Sequence, residues 1–111
     1  MGINKKEFTK NFLDRFGENI TKLDPKKDFL KNFANYLSNK SDSYFDEFEK
    51  VIWLLLKNQN LNDIDLSYKD HELQGQLSGI RECHIKSDIL LLYRYYGDVL
   101  ILVDVENHNN L

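Results

Sequence analysis

The spacing of apolar residues changes once along this chain, and that change fixes the fold class. Up to Tyr68 apolar side chains recur every three or four residues, the period of a helix face; beyond it they alternate, the period of a strand. Helices first and strands afterwards, in 111 residues, predict one α+β domain with its helices against a small antiparallel sheet. Hydrophobic residues at 41% and aromatics at 13% supply the core and exclude disorder for most of the chain. The longest apolar runs, Val51 to Leu56 and Ile89 to Tyr93, are too short for the ~20 residues of a membrane span.

The segments follow from the pattern. Phe8, Phe12 and Phe16, with Asn4 and Glu7 placed as a capping box and Gly17 as a stop, predict a helix over about 4–16. Ile20 to Leu23 reads as a short β-prone stretch. Asp24 then caps a second helix with Pro25 in its first position, running to about Ser38 on a stripe of Phe29, Leu30, Phe33, Ala34 and Leu37. A third helix over about 43–58 is apolar almost all round and should be the most buried. Asn58 to Ser67 reads as a loop. Leu77–Ile85, Asp88–Tyr95 and Asp98–Val105 form a meander with turns at Lys86-Ser87 and Gly97-Asp98.

The last two strands are apolar on both faces. Ile89, Leu91, Tyr93 and Tyr95 oppose Leu90 and Leu92, and Val99, Ile101, Val103 and Val105 oppose Leu100 and Leu102. A sheet with one wet face would alternate more cleanly, so either the N-terminal helix or a partner chain is expected to cover part of the second face.

Fifteen basic against eighteen acidic residues give a net charge of −3. The excess lies C-terminally, where residues 66–111 hold four basic and seven acidic side chains. A protein that grips polyanions through a broad field would be basic, so charge argues against free nucleic acid as a partner. The segment Met1 to Glu7 has positive charge but no apolar run behind it, which predicts a cytoplasmic protein without a secretory leader. Cys83 stands alone, which excludes an internal disulfide and predicts a small buried side chain rather than a reactive thiol.

Chemistry concentrates in the second half. His71, His84 and His108 are interleaved with Asp70, Glu72, Arg81, Glu82 and Asp88. Two histidines flanking a scissile bond can act as general base and general acid, and an arginine can fork onto a phosphate. The competing readings are ordinary surface histidines, or a zinc or iron site of His71, His84, Asp88 and His108. Asp70 reads first as a turn cap, Glu82 as a solvated charge, and Tyr93 as core.

Three stretches in order, Tyr68-Lys-Asp-His-Glu-Leu-Gln-Gly75, Gly79-Ile-Arg-Glu-Cys-His-Ile85 and Asp88-Ile-Leu-Leu-Leu-Tyr93, resemble the YafQ branch of the RelE-like toxins of bacterial type II toxin–antitoxin systems. The resemblance covers residues 66–108 closely and reaches back more weakly to Pro25. It implies a RelE-like fold in residues 18–111, with helices on one face of a curved antiparallel sheet, and an added N-terminal helix in residues 1–17. It further implies a ribosome-dependent mRNA endonuclease that needs no metal or other cofactor and is bound by a cognate antitoxin. His71, His84, Asp88 and His108 match the catalytic set, and Arg81 the motif arginine, to which phosphate binding is assigned. The rival is a weak or inactive relative that serves only as an antitoxin-binding corepressor.

The sequence departs from the family pattern in four places. The aromatic residue usual after the Asp is Ile89; the usual C-terminal Gly-Ser/Thr-His-x-x-Leu-Phe appears as Glu106-Asn-His-Asn-Asn-Leu111; the charge is −3 rather than basic. Finally, alternation puts Arg81 on the strand face opposite His84 unless a bulge or edge position intervenes.

Overall fold

The computed structural model describes residues 4–86 and 88–108. Helix α1 spans Lys5–Leu13, and the Asn4 side chain caps it by accepting the Glu7 N–H at 3.0 Å. The chain then tightens into 3-10 turns over Asp14–Lys22, redirected at Gly17, whose φ of 57° favours a residue without Cβ. The short strand β1 is Leu23–Pro25, followed by α2, Lys27–Leu37, and α3, Asp42–Leu56. A single helical turn α4, Leu61–Ile64, and a 3-10 turn lead into β2, His71–Glu72; a second 3-10 turn, Gly75–Leu77, precedes β3, Arg81–Lys86, β4, Ile89–Tyr96, and β5, Val99–Asn107.

The five strands form one sheet in the order β1-β5-β4-β3-β2. The expected meander β3-β4-β5 is its centre, with β2 added antiparallel at one edge. At the other edge β1 pairs parallel with β5, Leu23 opposite Leu100 and Pro25 opposite Leu102, so the sheet is mixed rather than wholly antiparallel. Pro25 therefore ends a strand instead of opening α2. An edge strand tolerates a residue without N–H, and the neighbouring Lys26 N–H supplies the bond to the Leu102 carbonyl at 2.9 Å.

The core lies between helices and sheet. Phe29, Phe33 and Leu37 of α2 and Phe48, Val51, Ile52 and Leu55 of α3 meet Cys83, Ile85, Ile89, Leu91, Tyr93, Leu100, Leu102 and Val105. Val105 shares the face of Leu100 and Leu102, against the strict alternation expected. A bulge after Leu102 causes this: Leu92 pairs with Asp104 but Tyr93 pairs with Leu102, leaving one extra residue in β5. The Asp104 carboxylate stabilises that kink by accepting from the Val105 N–H at 2.7 Å and the Asn32 amide at 2.9 Å.

Helix α1 does not cover the second face of the sheet. Its phenylalanines pack on the helical layer instead: Phe12 stacks on Phe33 at 4.7 Å, meets Phe45 and Phe48 at 6.3 and 6.2 Å, and Phe16 lies 5.2 Å from Trp53. Phe12, Leu13 and Phe16 thereby join the main core. Among the described residues no helix is long and apolar enough to cross a membrane.

Candidate active site

Residues directly opposite in an antiparallel ladder share a face, so the register assigns the side of each candidate. His71 lies opposite Glu82, Glu82 opposite Leu92, and Leu92 opposite Asp104; His84 lies opposite Leu90, and Leu90 opposite Glu106. The face turned away from the helices thus carries His71, Glu82, His84 and Glu106 around two central leucines, while the Asp104 carboxylate, at the bulge, reaches Asn32 of α2. Leu90 and Leu92 are buried although they lie outside the helix-side core.

The His84 and His108 rings meet edge to face, with centroids 5.6 Å apart. His108 follows the end of β5, and its backbone N–H bonds to the Asp88 carbonyl at 2.8 Å. The two imidazoles line a cleft of ≈ 680 Å³ whose other walls are Glu47, Lys50, Asp65, Ser67, Tyr68, Lys69, Ile85 and Lys86. Burial, the charge of Lys69 and the neighbouring His108 hold the His84 imidazole below its usual pKa. His71 stands beside this pair on the same face. Its Nδ1 lies 2.7 Å from the Lys69 carbonyl, an atom that can only accept, so that nitrogen carries the proton and Nε2 faces the Glu82 carboxylate at 3.6 Å.

Asp88 is near the histidines through its backbone, not its carboxylate. The side chain turns toward the helices, where Oδ2 accepts from Lys40 at 3.2 Å and Oδ1 from the Tyr44 hydroxyl at 3.0 Å. Burial works against its ionisation, but these two hydrogen bonds prevail and keep the carboxyl below the usual range. It therefore ties the turn before β4 to the ends of α2 and α3.

Arg81 is not brought to the histidines. The register shift in β3 falls between His84 and Lys86, beyond both residues, so alternation keeps Arg81 on the other face. There its Nε bonds Asp70 at 3.3 Å, and Asp70 accepts the Tyr93 hydroxyl on both oxygens at 2.8 and 2.9 Å. Asp70 is the buried centre of that cluster rather than a turn cap, Tyr93 is core, and Glu82 is a partly buried partner of His71. Burial pushes the Cys83 thiol up, as an inert core position requires. Ile89 is fully buried on the helix side, so its site presents no surface to a base. Asn109, Asn110 and Leu111 of the C-terminal motif lie outside the described residues. Among the described residues no group of three or more His, Cys, Asp or Glu is placed to hold a metal ion.

Sequence reasoning missed the cationic side of the cleft. Lys69 adopts the left-handed conformation, φ 48° and ψ 42°, which costs a residue with a Cβ about 1–2 kcal/mol. The only local signal was its position inside Lys69-Asp-His71. Lys40 and Tyr44 were hidden because their partner Asp88 is more than forty residues away.

Helices on one side of a small mixed sheet and histidines on the other define a RelE-like toxin fold. The chain belongs to the YafQ family, bacterial toxins of type II toxin–antitoxin systems, whose model matches residues 21–111. A copper-bound mutant toxin from Helicobacter pylori is 39% identical and superposes with a TM-score of 0.70, over 81% of this chain and 97% of that one. YafQ in the E. coli DinJ–YafQ complex is 24% identical with a TM-score of 0.65, over 80% and 94% of the two chains, and shares the fold. A Haemophilus influenzae protein described as a YafQ toxin is 48% identical over 29 residues. That match spans 26% of this chain and 28% of the relative's length.

Proposed function

We propose that this toxin is a metal-independent endoribonuclease that cuts messenger RNA on the ribosome and is neutralised by a cognate antitoxin. The observation that carries the reading is the His84–His108 pair in a lysine-lined cleft. A neutral His84 takes the proton of a ribose 2′-OH as its oxygen attacks the adjacent phosphorus. The bond from phosphorus to the 5′-oxygen breaks, and His108 gives that oxygen a proton, leaving a 2′,3′-cyclic phosphate and a 5′-hydroxyl. His71, oriented by the Lys69 carbonyl, holds the sugar. Asp88 acts through its backbone, by positioning His108. Arg81, engaged by Asp70 on the other face, takes no part.

The DinJ–YafQ complex of E. coli supports an antitoxin partner for this chain. The start of the family match at residue 21 supports a division into an N-terminal extension, residues 1–17, and a toxin domain, residues 18–111. A second reading, a binding-only relative, draws on the carboxylates Glu82 and Glu106 on the face of the histidines.

Expression without antitoxin should arrest growth, and His84→Ala should relieve the arrest while the melting curve stays put. Equal harmlessness of the two proteins would reject the nuclease in favour of the binding-only relative.

A further inference from the structure

We infer that Lys69 contacts the scissile phosphate, an inference that rests on the endonuclease reading of the cleft. A cyclising phosphate gains negative charge on its non-bridging oxygens, which a nearby cation stabilises strongly. The motif arginine cannot, since Arg81 is on the other face and bonded to Asp70. Three lysines line the cleft. Lys86 is committed, its Nζ donating to Ser43 Oγ at 3.2 Å and lying 5.0 Å above the Tyr44 ring. Lys50 is exposed on α3 and faces the charge of Asp65. Lys69 shares the cleft with both histidines, and its ammonium is near enough to disfavour a proton on His84. Among the described residues no ion pair or hydrogen bond engages that ammonium.

Its backbone adds an independent argument. Glycine or asparagine would suit the left-handed conformation at this position better, yet a lysine stands there. That same conformation turns the residue's carbonyl onto His71 Nδ1 at 2.7 Å. One residue thus orients one histidine through its main chain and aims a cation at the cleft of the other two.

Lys69→Asn removes the charge while suiting the backbone, and Lys69→Arg keeps the charge. Single-turnover cleavage of a message on programmed ribosomes should fall about 100-fold or more in the Asn variant and stay within about tenfold in the Arg variant, at unchanged melting temperature. Inorganic phosphate titrated into the isolated protein should shift the His84 and His108 ring signals in the wild type and about tenfold less in the Asn variant. Wild-type cleavage and an unaltered phosphate response in Lys69→Asn would overturn the inference. A wild type that never cuts would reject the endonuclease reading instead, and the phosphate titration then decides for or against Lys69 by itself.

Discussion

A histidine that accepts a proton at neutral pH must be kept neutral beforehand, and the surroundings of His84 do this by burial, by Lys69 and by His108. The acid limb of the cleavage pH profile should therefore lie below 6.5, the usual imidazole value. Stability follows the same sign. The unfolded chain protonates His84 first as pH drops through 6.5, so the native state loses stability as pH falls from there toward the lower folded pKa. Lys69→Asn should move the acid limb up, because it removes one of the charges that oppose protonation. Rate against pH for wild type, Lys69→Asn and Lys69→Arg measures this; an acid limb that stays in place in the Asn variant would remove Lys69 from the electrostatics of His84. The separation of Arg81 from His84 was legible in the sequence, since period 2 alone puts them on opposite faces. The role of Lys69 was not, because neither a left-handed backbone nor the wall of a cleft leaves a mark on neighbouring residue types.

The elements were readable where the pattern was local and misread where it depended on distant partners. The four-residue spacing of Phe8, Phe12 and Phe16 gave α1 and its apolar stripe, but not the destination of that stripe. The helical layer and the free sheet face both read as apolar, and only the structure shows the rings interleaved with Phe33, Phe45 and Phe48. The bulge in β5 was hidden for a related reason. Leu102-Val103-Asp104-Val105 reads as continuous alternation, and the kink is fixed partly by Asn32, 72 residues away. An N-terminal helix built into the core has a measurable consequence. Phe12→Ala removes a ring that is 5% exposed and packs on α2 and α3, which should cost about 3–5 kcal/mol. At ~4 °C or more per kcal/mol for a domain of this size, the melting temperature should drop by roughly 10 °C or more. An unchanged calorimetric transition would mean that α1 is not docked on α2 and α3 in solution.

At the scale of the whole molecule the electrostatics decide where this protein can meet RNA. The net charge is −3, and the face that bears the histidines carries Glu82 and Glu106 beside its two central leucines. Burial and the neighbouring Glu82 and Asp104 even raise the pKa of Glu106, a sign of crowded like charge. The cations of the cleft, Lys50, Lys69 and Lys86, are few and are offset by Glu47 and Asp65 on the same walls. Such a surface gains little from counterion release, so naked RNA should bind weakly. The buried Ile89 adds no stacking surface. A message already threaded and oriented in a ribosome needs only local chemistry from the protein, and positioning replaces most of the missing binding energy. Cleavage should therefore be fast on programmed ribosomes and slower by a factor on the order of 1,000 for the same message free in buffer, since orientation alone is worth several kcal/mol. The measurement is a side-by-side time course with wild type and His84→Ala at two salt concentrations. Efficient cutting of the naked message that weakens steeply with salt would contradict the argument, because it would demand a basic groove where this fold places carboxylates.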